Sequence, residues 1–252
     1  MIYFIPGLFS GPIHYVFGTY FVDQFTYLKS LGKDYEMLPI NTENSVSDNA
    51  VFIKNFIEDK SGLTFITHSK GGLDLLDALI TYPEMRSKIK KIVFIQAPFY
   101  GTPLVNLVKK NLSLKLMAMT AFKLSKGKWN TLDEISILKR KEYMEHYALE
   151  IKEVLEEMDI TSIGSVVDYT KTKTTSLLYP LIKYLKSIGM EGDGVVPLES
   201  TKLTGAVNLR VEGIDHSSMV VKRTIQKFDR KAFTSYLFDN DLTKGNHDYS
   251  YQ

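Results

Sequence analysis

The stretch Leu63 to Asp77, LTFITHSKGGLDLLD, changes hydrophobic period in its middle, and this limits the possible folds more than any other part of the chain. Leu63, Phe65 and Ile66 make the short apolar run of a buried strand, whereas Leu73, Leu76 and Ile80, flanked by Leu75 and Leu79, recur at helical spacing until Pro83 ends the series. A strand that turns directly into a helix needs small residues at the corner. Thr67-His68-Ser69-Lys70-Gly71-Gly72 supplies them, and Ser69 stands at the apex with the positive end of the helix beneath it.

A serine so placed matches the G-x-S-x-G pattern of a nucleophile elbow, except that Thr67 takes the first glycine position. A β-carbon there requires the turn to open or to tolerate strain. The plainer alternative is that Ser69 only caps the helix.

The rest of the chain alternates strand and helix patterns. Ile2 to Ile5 is a short apolar strand followed by the turn-rich loop Pro6 to Pro12, and Phe21, Phe25, Leu28 and Leu31 mark a helix that ends at Gly32. Tyr35 to Ile40 reads as a strand, and Ser45 with Asp48 forms a capping signal for a helix over Ala50 to Asp59. A strand over Ile92 to Ala97 leads into Pro98-Phe99-Tyr100-Gly101-Thr102-Pro103. Ile160 to Val167 is a further strand, Leu177 to Ile188 a helix, Val207 to Val211 the expected last strand, and Thr224 to Leu237 a helix packed on the sheet. The polar tail from Thr243 is expected to fray. This order implies an α/β fold with a doubly wound, mostly parallel sheet, a core of residues 1–103 and 160–252, and a helical lid-like insertion over 104–159.

The insertion has two halves of opposite charge. Lys109, Lys110, Lys115, Lys123, Lys126 and Lys128 lie between Asn106 and Lys128 with no acid among them, interleaved with Leu107, Leu112, Leu116, Met117, Met119 and Phe122. From Glu142 to Asp159, acids at 142, 145, 150, 153, 156, 157 and 159 face Lys152 alone. One reading is a set of helices with solvated charged faces. The other is a lid whose basic half, 106–128, meets lipid or an anionic membrane surface.

Composition removes several classes. With 252 residues and 44% hydrophobic content the chain can bury a sizeable core, and a net charge of +2 argues against a general nucleic-acid binder. Without cysteine there is no disulfide framework and no thiolate metal site. MIYFIPG reads as the first strand and not as a signal peptide, and no apolar run is long enough to span a bilayer, so a cytoplasmic location is expected. No cofactor or metal is expected, and oligomeric state is not encoded legibly.

A serine hydroxyl becomes a nucleophile when an imidazole accepts its proton and a carboxylate orients that imidazole. In doubly wound hydrolases the groups follow the order serine, acid, histidine. Ser69, Asp193 in a Gly-flanked turn, and His216 just past a strand have that order. His14, His146 and His247 lie away from any strand end after the elbow, and the His68 side chain should point away from Ser69. Asp168 competes with Asp193 for the acid position, while Asp215 is too close to His216 to grip its ring. Backbone N–H groups of Lys70 and of Leu8 are the candidate oxyanion donors.

Four stretches in order carry a family resemblance: PGL at Pro6 to Leu8, HSKGG at His68 to Gly72, GTP at Gly101 to Pro103, and DGVV at Asp193 to Val196. The chain resembles the α/β-hydrolase superfamily, and within it bacterial lipases and esterases, over most of its length outside the insertion. The resemblance implies carboxylic ester hydrolysis of a small-molecule acyl ester or lipid, with Ser69, Asp193 and His216 as triad and Leu8 and Lys70 as oxyanion donors. Pro6 and Thr67 depart from the histidine and glycine usual in such enzymes. A thioesterase or acyltransferase with the same triad, and a non-catalytic binding protein of this fold, are the alternatives.

Overall fold

Seven strands form one sheet in the order β2-β1-β3-β4-β5-β6-β7, and every neighbouring pair is parallel. The structure, a computed structural model, describes residues 1–10, 19–168, 178–222, 228–239 and 242–249. The strands are β1 (Ile2–Ile5), β2 (Tyr35–Met37), β3 (Leu63–His68), β4 (Ile89–Ile95), β5 (Ile160–Val166), β6 (Val207–Glu212) and β7 (Gly245–Tyr249). Their side chains alternate between two apolar cores. Tyr3, Ile5, Phe65, Ile92 and Phe94 enter one, and Ile2, Phe4, Ile66, Val93 and Ile95 the other.

Helices cover both faces. On the first core lie α2 (Val46–Phe56) and α3 (Lys70–Thr81), through Ala50, Ile53, Leu73, Leu76 and Leu79. On the second lie α1 (Val22–Ser30) and α10 (Arg230–Asp239), through Leu28, Phe233 and Leu237. Ser45 caps α2 by accepting the Asp48 amide at 3.1 Å, as the capping signal required. Between α3 and the last helix run α4 (Leu104–Lys110), α5 (Leu112–Leu124), α6 (Thr131–Glu134), α7 (Ile137–His146), α8 (Ala148–Glu157) and α9 (Tyr179–Ser187).

Several boundaries differ from the sequence pattern. The strand expected over Tyr35 to Ile40 pairs only to Met37, because Pro39 offers no N–H to a ladder. The one expected to reach Ala97 stops at Ile95, since Gln96 takes φ 52° and leaves the extended region. Most of all, β6 is not the last strand. Gly245–Tyr249 pairs in parallel along β6, and Tyr249 packs its ring against Phe233 and Tyr236, with centroids 4.8 Å away in each case. A short polar edge strand gives almost no hydrophobic signal, because its backbone bonds and one aromatic anchor hold it. Gly11, Pro12, His14, Leu177 and Thr224, which fell within or beside expected elements, lie outside the described residues.

The insertion is not uniform. Met144, Ile151, Val154, Leu155 and Met158 belong to the main core of the sheet. The earlier half instead rests on a small separate cluster of Val105, Phe122 and Leu132, against which Leu8, Phe9, Val108 and Trp129 pack. Among the described residues no helix is long and apolar enough to cross a membrane.

The order of strands also fixes where a ligand can sit. From β1 the chain moves outward to β2 and then returns to β3 on the other side of β1, so the loops leaving β1 and β3 lead to helices on opposite faces of the sheet. Those loops are Pro6 to Ser10 and the corner at Ser69.

Candidate active site

Ser69 has φ 52° and ψ −126°, a conformation L-residues rarely adopt, and it is held by its amide to the Ile95 carbonyl at 2.9 Å and by its carbonyl to the Gly72 amide at 3.0 Å. The crowding around the corner explains the glycines. A β-carbon on Gly71 would stand 2.6 Å from the Pro6 carbonyl oxygen, and one on Gly72 2.6 Å from Ala97 Cβ. Thr67, by contrast, is still inside β3, paired with Ile5 and Phe94, where a β-branched residue is at home. The strain is therefore carried two residues later than the first glycine of the pattern, at Ser69, and Thr67 needs no opening of the turn.

Three side chains from distant parts of the sequence meet at this corner. Ser69 Oγ lies 3.0 Å from His216 Nε2, and Nδ1 of the same ring lies 2.8 Å from Asp193 Oδ2. The carboxylate accepts, so Nδ1 carries the proton and Nε2 is left to accept from the serine hydroxyl, a tautomer assigned from the hydrogen bonds. Asp193 is fully buried, and its other oxygen accepts the amides of Val195 and Val196, both at 2.7 Å. Gly194 at φ 98° makes that turn possible, and the His216 amide donates to the Asp193 carbonyl at 3.0 Å. Thr102, in the turn after β4, donates its hydroxyl to the Val195 carbonyl at 2.5 Å and so fastens the acid turn from the neighbouring strand end.

The competing acids are elsewhere. Asp168 is exposed and borders a cavity of about 790 Å³ together with Glu191, Arg210 and Glu212. Asp215 is buried and its Oδ1 accepts the amides and hydroxyls of Ser217 and Ser218, which shapes the loop that carries His216. Leu8 sits in the small cluster under the insertion, directly after Gly7, whose Cα approaches Ser69 so closely that a β-carbon there would be 2.8 Å from Ser69 Cβ. Lys70 is the first residue of α3, so its amide points out of a helix N-terminus beside the serine.

Two residues do more than their sequence context suggested. The ring of His68, whose side chain is expected to point away from Ser69, lies 4.7 Å from that of His216, and its Nε2 is 2.8 Å from the His216 carbonyl oxygen. Burial, and secondarily the neighbouring His216, hold its pKa well below the usual imidazole range, so it is a neutral donor that braces the His216 backbone. Lys70 buries its ammonium completely, paired with Asp74 Oδ1 at 2.7 Å, while Asn49 donates to Asp74 Oδ2 at 2.8 Å. An unpaired ammonium there would be prohibitive, so α2 and α3 are locked together beneath the serine. Burial pushes the Asp74 carboxyl up to about 6 despite the pull of Lys70. No spacing rule marks a Lys at this position as buried; the i, i+4 acid was the only clue.

Among the described residues no group of three or more His, Asp or Glu side chains is placed to hold a metal ion.

No protein-family model and no characterised protein sequence matches the chain. Solved structures do resemble it. A lipase of Bacillus licheniformis in its mature form is 19% identical, with a TM-score of 0.69 over 94% of this chain and 89% of that one. A metagenomic carboxyl esterase is 17% identical, with a TM-score of 0.71 over 94% of this chain and 75% of that one. Lipase 1 of Pelosinus fermentans is 13% identical, with a TM-score of 0.62 over 96% and 99%. The chain has the α/β-hydrolase fold, shared with these bacterial lipases and this esterase.

Proposed function

We propose that the chain is a serine carboxylic ester hydrolase that works through an acyl-enzyme on esters with a hydrophobic acyl chain. The observation that carries this reading is the unbroken file Ser69 Oγ, His216 Nε2, His216 Nδ1 and Asp193 Oδ2, with steps of 3.0 and 2.8 Å, at the point where the strand order reverses. His216 takes the hydroxyl proton as Ser69 Oγ attacks the ester carbonyl, and Asp193 stabilises the imidazolium that forms. The amides of Leu8 and Lys70 bind the oxyanion. Collapse of the tetrahedral intermediate breaks the bond to the alcohol, which leaves with the proton from His216, and water then repeats the sequence on the acyl-serine. The lipase and carboxyl esterase names of the structural relatives agree with this chemistry.

The basic half of the insertion favours a lipid-borne substrate. In α5, Leu112, Leu116, Met117, Met119 and Leu124 are exposed, Leu112 and Leu124 to more than 70%, and the sequence from 106 to 128 around them carries lysines and no acid, although Lys109 and Lys128 pair with Asp133 and Asp48 from outside it. An apolar surface set in positive charge suits contact with an anionic lipid surface.

The test is hydrolysis of p-nitrophenyl esters of graded chain length by the parent and by Ser69→Ala. The rate should rise with acyl length in the parent and fall by a factor on the order of 10⁴ or more in the variant. Undiminished hydrolysis by Ser69→Ala would refute the assignment.

A further inference from the structure

We propose that Glu43 is a positioning residue that holds the loop after β1 in the shape the oxyanion requires, and that it joins this loop to the middle of the insertion, at 127–131. The inference rests on the hydrolase reading above and adds a residue to it. Glu43 is 3% exposed, in the loop after β2, far in sequence from every residue of the triad.

Its contacts reach both partners. Thr42 donates its hydroxyl to Glu43 Oε2 at 3.0 Å, which uses the one proton of that hydroxyl, so the 3.3 Å contact between Ser10 Oγ and Thr42 Oγ1 runs from Ser10 to Thr42. A directed chain thus leads from the end of the Pro6 to Ser10 loop into the carboxylate. The backbone amide of Phe9, a residue at φ 62°, also faces that carboxylate. On the other side, the Glu43 carbonyl oxygen accepts the Lys128 amide and the Thr131 hydroxyl, each at 3.0 Å, and Gly127 passes so near that a β-carbon on it would collide with that of Glu43. Asn41 extends the seam by donating to the Ser125 carbonyl at 3.1 Å.

A carboxylate buried this deeply needs a reason. Burial raises the pKa of Glu43, against the pull of Thr42, the amides of Glu43 itself and Phe9, and the Lys70 charge, and Oε1 is left without a hydrogen-bond partner. A core position of this kind filled by leucine or methionine would cost nothing in desolvation. What an apolar residue could not do is accept from the loop that carries Leu8 and hold Phe9 in its left-handed conformation.

Glu43→Gln keeps the shape, but one of its two acceptor oxygens becomes an amide donor facing the same amides. Thr42→Val breaks the relay from Ser10 and takes away the hydroxyl that Glu43 Oε2 accepts, while the carboxylate itself stays in place. The measurement is the rate of Ser69 phosphonylation by an alkyl p-nitrophenyl phosphonate, whose phosphoryl oxygen occupies the oxyanion position, together with kcat, KM and melting temperature. Labelling and kcat should fall roughly 10- to 100-fold in Glu43→Gln and less in Thr42→Val, with KM and melting temperature held. The double variant should lose less than the two losses combined, because both act on one loop. If Glu43→Gln fails to fold, Thr42→Val alone decides, by the same split between kcat and KM. A parent that is labelled while both variants are labelled within about twofold of its rate overturns the role of Glu43 and leaves the hydrolase standing. A parent whose Ser69 ignores the phosphonate overturns both.

Discussion

Gly7 and Ser69 touch across the reversal of strand order: a methyl group on Gly7 would stand 2.8 Å from Ser69 Cβ and 3.0 Å from His68 Nδ1. The loop after β1 and the corner after β3 are therefore one packed unit, and only a residue without a side chain fits at position 7 beside the serine. Gly7→Ala should lower kcat by roughly 100-fold while the sheet still folds, since the displaced loop lies at the rim and not in either core. Steady-state kinetics with circular dichroism checks this. An alanine variant with parental kcat would show that the loop gives way freely and that Leu8 is not held as argued.

The two halves of the insertion should differ in what they contribute to stability. Ile151, at 6% exposure, faces the main core, so Ile151→Ala should cost about 2–5 kcal/mol. Leu116, at 54% exposure on α5, should cost within about 0.5 kcal/mol when replaced by alanine. Chemical denaturation of both variants measures the contrast. Equal losses would mean that α5 is as firmly built in as α8.

Charge on the first half bears on lipid contact. Lys109 pairs with Asp133 and Lys128 with Asp48, so these two are poor choices for reversal. Lys110, Lys115 and Lys123 are the better set. Their joint replacement by glutamate should weaken partitioning to phosphatidylserine vesicles, by about 1 kcal/mol per lysine near the surface, and leave hydrolysis of a short soluble ester at the parental rate. Unchanged sedimentation with such vesicles would remove the anionic surface from the account.

Stability should depend on pH through the buried acids. Burial raises the carboxyls of Asp77, Glu43 and Glu134, whereas a proton on Asp74 would strip the buried Lys70 ammonium of its partner. A carboxyl whose folded pKa is raised binds its proton more tightly in the folded chain. Its contribution is complete below the unfolded value, 3.8 for Asp77, and is lost as pH rises through the raised folded value. The melting temperature should therefore increase from about pH 7 to about pH 5, before other carboxylates are protonated. Asp48, lowered by its Lys128 contact, acts only at still lower pH. Calorimetric scans in buffers of matched ionic strength test this, and a melting temperature that falls across that interval contradicts it.

Much of the site could be read without coordinates because local chemistry and chain order are properties of the sequence itself. The change of period at Thr67 to Gly72 required a strand-to-helix corner, and serine, acid and histidine followed in the order that a doubly wound sheet brings to one rim. Alternation of strands and helices was enough for the sheet and for its parallel sense. Distances between those side chains were not available from order alone. Asp168 closes a strand and Asp193 sits in a Gly-flanked turn, and only the turn at Gly194, bound by the Val195 and Val196 amides and fastened by Thr102, brings one carboxylate to 2.8 Å from His216. The buried pairing of Lys70 with Asp74, the bracing of His216 by His68, and the place of Glu43 under the loop after β1 depend on contacts between elements that are remote in sequence. The pairing of β7 likewise comes from backbone groups, which every residue carries, and so leaves little trace in residue type. Sequence determined which groups exist and in what order the sheet receives them; packing decided which of them touch, because burial and hydrogen bonding are settled between surfaces and not along the chain.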